Sequence, residues 1–199
     1  MIHFRSIKWK NFLSTGNAFT EMRLDEHSNI LVVGENGAGK STILDAIYFG
    51  LYGKPFRKIK KDQLVNSVNL RDCCVEVEFT VNVNTYNVIR GIKPNVFEIY
   101  ENGVLLDQHA ASRDTQDYLE TNILRLSAKS FAQIVILGSA SFVPFMQLSS
   151  AIRREVIEDL LDIKVFSAMA ILLKERSSAN KEAILLNERD IQNSEEMKK

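Results

Sequence analysis

The residues from Gly34 to Ser41, Gly-Glu-Asn-Gly-Ala-Gly-Lys-Ser, meet the pattern G-x-x-x-x-G-K-[ST] in full. Glycines at 34, 37 and 39 let the backbone turn its amides inward around a phosphate with no Cβ in the way. Lys40 supplies a point charge for the β- and γ-phosphates, Ser41 a hydroxyl for Mg²⁺, and Thr42 a hydroxyl for the α-phosphate. The candidate binding set is therefore Asn36, Gly37, Ala38, Gly39, Lys40, Ser41 and Thr42, with Lys40 also catalytic and Ser41 also a metal ligand. Such a loop reads phosphates and not the base, so it does not choose between ATP and GTP.

The loop needs a strand before it and a helix after it. Asn29 to Val33 is a short apolar run read as a strand entering Gly34. Ile43, Leu44, Ile47 and Leu51 have helical spacing, and Gly53 and Pro55 mark that helix's end. Its start near Lys40 adds unpaired N–H groups that favour bound anions.

Upstream, Ile2 to Arg5 alternates and Ile7 to Lys10 resumes one residue out of register, which predicts a strand with a bulge. A turn at Ser14 to Asn17 and a returning strand at Phe19 to Leu24 follow. Downstream, Cys73, Val75, Val77, Phe79 and Val81 share one face and Glu76 and Glu78 the other, the mark of a half-solvated strand. Tyr86 to Arg90 and Val96 to Tyr100 continue as strands, and Asn102-Gly103 is a tight hairpin turn. These segments predict an antiparallel meander attached to a mixed sheet built around the loop strand.

Gln116 to Leu126 and Ala128 to Leu137 read as helical or mixed. Ser149 or Ser150 caps a further helix with an apolar stripe of Ile152, Val156, Leu160 and Leu161. Glu155, Glu158 and Asp159 are placed on its solvated side. Residues 174 to 199 carry 12 charged residues, six of each sign, with no proline or glycine. A long exposed helix or the root of a coiled coil fits that texture, and so does a solvated surface helix. The expected division is a nucleotide-binding lobe over residues 1–163 and a helical root over residues 164–199.

The 199 residues are 45% hydrophobic and 25% charged, an ordinary globular composition with zero formal net charge. No global cationic field exists, so any nucleic-acid contact is a local patch. Lys54, Arg57, Lys58, Lys60 and Lys61 form such a patch just past the loop helix, suited to a phosphate backbone. Adjacent Cys73 and Cys74 suit neither an ordinary bridge nor a metal site and are read as reduced thiols in a cytoplasmic protein. The longest apolar run, Ala168 to Leu173, is too short to span a bilayer, so no membrane partner is expected.

Phosphoryl transfer to water also needs a carboxylate at a strand end and a group that orients the water. Downstream of the loop the one candidate for an apolar strand ending in Asp or Glu is Glu155 to Asp162, and its apolar spacing is helical. The chain is expected to bind a nucleotide and to hydrolyse it poorly alone.

Several segments together resemble the N-terminal lobe of the ABC-type ATPases that organise and repair chromosomes. The most similar branch comprises the ATPase subunits of recombination and double-strand-break repair nuclease complexes of tailed phages. The resemblance rests on Ile7 to Ser14, Gly34 to Ile47, Phe49 to Phe56, Arg90 to Phe97, Phe131 to Gly138, Pro144 to Met146 and Arg153 to Leu161. It implies an α/β fold, a P-loop NTPase that forms the N-terminal lobe of an ABC-type head, with an antiparallel meander and a C-terminal helix entering a coiled coil. ATP and Mg²⁺ are the implied cofactors.

The implied partners are the C-terminal half of the same ATPase, in cis or in trans, and a second ATPase head in an ATP-dependent dimer. A nuclease subunit and double-stranded DNA complete the set, in the host cytoplasm for a phage protein. The family's C-terminal half carries the remaining catalytic motifs, and this chain resembles the N-terminal half only. Asn11 to Ser14 fall near the base and ribose, which adds Ser14 to the binding set, although Leu13 stands where many relatives have Arg. The family's Gln for Mg²⁺ and the attacking water lies eight residues past Phe131, where this chain has Ser139. Ser139 is thus the second catalytic and second metal candidate, with Gln133 or Gln147 as substitutes. The polar face around Arg153 and Arg154 suits the nuclease subunit.

Two other readings fit the same residues: a chromosome-organising ATPase without a nuclease, and a nucleotide-dependent interaction module with no turnover. Common to all three is the loop lysine. Replacing Lys40 with Ala should weaken ATP binding by roughly tenfold or more, the scale of a charge-assisted hydrogen bond. Equilibrium titration of the variant with ATP checks this, and unchanged affinity would overturn the loop assignment.

Overall fold

The computed structural model describes residues 2–106, 112–136, 143–161 and 163–197. Strand β1 (Ile2–Lys10) opens the chain, and its pairing register slips between Phe4 and Ser6. That is the bulge the interrupted alternation predicts, and it lets Ile7 and Trp9 stay on the buried face. β2 (Thr20–Arg23) returns antiparallel against β1.

β3 (Cys73–Val81), β4 (Asn84–Ile92), β5 (Val96–Glu101) and β6 (Val104–Leu105) form the meander. Asn102 and Gly103 both have positive φ, 51° and 82°, as the tight turn between β5 and β6 requires. The meander is not an attachment to another sheet. β3 pairs with β1, so all six strands make one antiparallel sheet in the order β2-β1-β3-β4-β5-β6.

The expected strand at Asn29 to Val33, and the mixed sheet around it, are not found. Among the described residues that segment pairs with nothing, and Leu31 and Val33 are 86% and 81% exposed. A strand exists only through a ladder with neighbours, and none of the described residues pairs with this segment.

Helix α1 (Thr42–Tyr52) lies on the sheet against β3, and its Ala46, Phe49, Leu51 and Tyr52 are buried in the core that also holds Val75, Val77 and Phe79. Gly50 faces β3 so closely that an added Cβ would overlap Val77 Cγ2 and crowd Val75 Cγ1. The helix ends at Gly53, whose left-handed φ of 64° directs its N–H to Phe49 O at 2.8 Å.

Arg90 of β4 covers the same helix end. Its Nε donates to Gly50 O at 2.7 Å, and one Nη donates to Leu51 O at 3.2 Å and to Gln116. The guanidinium also lies 3.6 Å from the centre of the Phe97 ring. Burial opposes its charge, and helix-end carbonyls plus the ring face offset that cost.

After α2 (Ser112–Tyr118) comes a π-helical stretch, Leu119–Leu124, and then α3 (Ala128–Ile134), so the two helical readings hold with a break at Arg125 to Ser127. Phe131 packs its ring 5.3 Å from Tyr52. α4 (Ser150–Leu160) is capped by Ser149, which accepts from Ile152 N.

Two expectations for α4 need correcting. Leu160 and Leu161 are 62% and 59% exposed instead of joining a buried stripe with Val156. Asp159 is 5% exposed, not solvated, because its carboxylate accepts from Ser127 N at 3.1 Å and from Ser130 Oγ, holding the start of α3. α5 (Lys164–Glu196) is one 33-residue helix, about 50 Å long at 1.5 Å per residue. The Cys73 and Cys74 thiols are free, and burial pushes them up to about 12 and about 11, so both stay protonated.

Because α1 meets β3 through Gly50, Gly50→Ala should destabilise the protein by about 1–3 kcal/mol, the usual cost of overpacking. Urea denaturation measures it, and an unchanged midpoint would mean that α1 can lift off the sheet freely.

Candidate functional site

α1 points its N-terminus at a cleft of about 570 Å³, within the range of small-molecule sites. Gly37 and Gly39, each at φ 90°, make the turns that bring the loop round to this mouth. Thr42 N donates to Gly39 O at 2.9 Å and Asp45 N to Ser41 O at 3.2 Å, so the helix begins directly behind the loop, at Thr42 and not at Lys40. Lys40 Nζ sits across the loop, donating to Gly34 O and to Glu35 O, both at 2.7 Å. One of its three donors remains for an anion.

Asn36, Gly37, Gly39, Lys40, Ser41, Thr42 and Ser14 all line this cleft. Ala38 does not. It borders a separate hollow with Trp9, Val33 and Ile43, and its N–H is turned to Glu35 O at 3.2 Å. Ser139 lies outside the described residues. Gln133 on α3 and Gln147 in the 3-10 turn Phe145–Gln147 are not among the residues lining the cleft.

The wall facing the loop comes from two segments. Leu13 and Ser14 belong to the turn after β1, while Gln63 belongs to the 3-10 turn Lys61–Leu64 and Val65 and Ser67 follow it. The two are joined where Phe12 bridges Val65, and Leu13 N donates to Leu64 O at 2.7 Å. Leu13 has φ 52°, a left-handed backbone that costs a residue with a Cβ about 1–2 kcal/mol. Residues strained in this way persist only where their surroundings hold them, commonly at ligand walls.

Arg57 also reaches the cleft, which the sequence reading missed by treating it only as one of a basic run. Its Nε and Nη2 meet Asp45 Oδ2 at 2.7 and 2.5 Å. Asp45 is 2% exposed, so burial pushes its carboxyl up while Arg57 opposes the shift. An acid on the buried face of a helix, twelve residues before Arg57, was the available signal. Of the other basic residues, Lys61 stands 6.0 Å over the Phe49 ring, while Lys54, Lys58 and Lys60 are exposed.

Chemically, the cleft offers a lysine, an arginine, hydroxyls and loop amides to an anion, and a leucine and a valine to something apolar. Among the described residues no group of three or more His, Cys, Asp or Glu side chains is placed to hold a metal ion. A Mg²⁺ bound through substrate phosphates and one hydroxyl needs no such group.

Residues 6–199 match the family model described as an AAA domain. The chain is 45% identical over 168 residues to exonuclease subunit 2 of Enterobacteria phage T4, covering 84% of this chain and 30% of that protein. It is 31% identical over 173 residues to the DNA double-strand break repair Rad50 ATPase of Thermoplasma acidophilum, covering 85% of this chain and 19% of the relative. The chain thus spans less than a third of the length of these curated relatives. Among solved structures, an Smc head domain with an extended coiled coil from Pyrococcus furiosus superposes with a TM-score of 0.62 at 20% identity, over 91% of this chain and 47% of that one. A second, from work on ATP-driven dimerization of SMC ATPases, gives 0.54 at 21% identity, over 79% of this chain and 99% of that one. Both share the fold. Among the described residues no helix is long and apolar enough to cross a membrane. The chain belongs to the AAA-domain family.

Proposed function

We propose that this chain is the ATP-binding N-terminal part of a DNA recombination and repair ATPase that regulates a nuclease partner on DNA ends. The observation that carries the reading is the cleft itself, where the loop, Lys40 and the α1 N-terminus converge on one mouth. In it Lys40 and the amides of Asn36, Gly37 and Gly39 hold the triphosphate, Ser41 carries Mg²⁺, Thr42 meets the α-phosphate and Ser14 the sugar. Ser139 keeps its proposed place beside the metal and the attacking water. Residues 1–163 form the nucleotide lobe and residues 164–199 the root of a coiled coil.

Two features support a second, C-terminal segment as partner. Ile30 to Val33 leaves an apolar, unpaired stretch next to the loop, and buried Trp9 Nε1 beside it has no acceptor among the described residues. An incoming strand satisfies both. Along α5, Ile171, Leu172, Leu173, Ile184, Leu185 and Leu186 are each 56–69% exposed, which a partner helix would bury. Exposed Lys54, Lys58 and Lys60 suit a DNA backbone. Arg153 and Arg154 border an apolar hollow with Phe166 at the foot of α5, the place proposed for the nuclease subunit.

One observation favours binding without turnover for the chain alone: none of the described residues lining the cleft is a carboxylate. Hydrolysis then depends on groups brought by the second half, by a second head, or by both. Steady-state ATP hydrolysis distinguishes the readings, measured with and without the C-terminal half, the nuclease and double-stranded DNA. Turnover is expected only in the mixture and should rise with DNA. Binding without turnover in every mixture would favour a nucleotide-dependent interaction module.

A further inference from the structure

We propose that Asn66 is the positioning residue for the base-and-ribose side of the nucleotide site, and that it acts by fixing the Leu13 turn. The inference rests on the nucleotide reading above. Asn66 is 7% exposed, and each of its polar groups is used. Its Nδ2 donates to Leu13 O at 3.1 Å and to Thr15 O at 3.0 Å. Its Oδ1 accepts from Val68 N at 2.9 Å and from Asn69 N at 3.0 Å. Its own N–H donates to Asn11 O at 2.8 Å, and its carbonyl accepts from Leu70 N at 2.9 Å.

One side chain thus locks two separate chain segments, and each of them supplies part of the same wall. Leu13 and Ser14 come from the first, Val65 and Ser67 from the second. Asn11 reinforces the lock. It is 1% exposed with φ 50°, accepts from Asn69 Nδ2 at 2.7 Å, and donates to Asn17 Oδ1 at 2.9 Å.

The geometry gives this lock a specific task. The glycine loop takes the phosphates, so the wall across the cleft faces the sugar and the base. Leu13 is held left-handed there, against the preference of a residue with a Cβ. Asn66 grips the carbonyl of Leu13 and the one two residues later, while nothing in its hydrogen bonding reaches Gly34 to Ser41. Its influence therefore falls on one half of the ligand and not on the other.

Asn66→Asp tests this, because a carboxylate keeps the acceptor for Val68 and Asn69 but turns an oxygen toward the Leu13 and Thr15 carbonyls. Titration calorimetry with Mg²⁺-ATP and with Mg²⁺-tripolyphosphate is run on both proteins. The variant should lose about tenfold in ATP affinity, a loss of about 1.4 kcal/mol, and stay within about twofold for tripolyphosphate. Equal losses for both ligands, or unchanged ATP binding, would overturn the proposal, since a merely structural role does not separate the two. Should Asn66→Asp fail to fold, Asn66→Ser replaces it: the hydroxyl can serve the local turn but is too short to grip both carbonyls, and the same split decides. Wild-type protein that binds neither ligand would defeat the nucleotide reading itself, an outcome separate from a missing split.

Discussion

The contact on which the rest depends joins the Arg90 guanidinium to the last turn of α1. Carbonyls at a helix end have no partners within the helix, and here Arg90 takes those of Gly50 and Leu51 from the middle of the sheet. Gly50 lets the same turn press on Val75 and Val77, and Gly53 turns the chain away from the charge. An added Cβ at Gly53 would lie 2.8 Å from an Arg90 nitrogen, so cap and cation fit one another closely. Fixing the C-terminal end of a rigid helix on a sheet also fixes where its N-terminus points. In this way a residue on β4 determines where Lys40, Ser41 and Thr42 stand.

What was legible in the sequence was what local chemistry decides. The loop from Gly34 to Ser41 declares its use because each glycine, the lysine and the serine has a separate physical reason to be there. The alternation from Cys73 to Val81, the register slip in β1 and the Asn102-Gly103 turn are equally local, and each takes the predicted form. Pairing between distant segments was not legible. Nothing in Ile7 or Val77 says that they are partners, so opening strands and meander looked like separate pieces until β1 was found beside β3. Asp159 looked solvated because helical periodicity ranks faces by average polarity, whereas its burial goes with the hydrogen bonds it accepts from Ser127 and Ser130 at the start of α3. Asn66 was invisible for a similar reason. A loop asparagine ordinarily bonds to its own turn, and only the fold shows that half of its amide serves another segment.

Asn29 to Val33 marks the boundary between pattern and structure. Its composition is that of a buried strand, yet residues with such a preference form a strand only when neighbours complete the ladder and cover the side chains. The antiparallel sheet ends at β2 and β6, and none of its described strands pairs with that segment. The consequence for the site is an asymmetry. Behind the loop, α1 is anchored by Arg90, by packing through Gly50 and by the Asp45–Arg57 pair. Ahead of the loop, the chain enters through residues with Leu31 and Val33 turned to solvent. Lys40 spans that difference, because its two bonds to Gly34 and Glu35 tie the well-held helix to the less-held entry. A ligand phosphate that draws the ammonium toward itself therefore acts on the entry more than on the helix. Any segment that pairs with Ile30 to Val33 acts on the same entry from the other side. A nucleotide at the loop and a strand paired with Ile30 to Val33 would therefore meet through one short stretch of backbone.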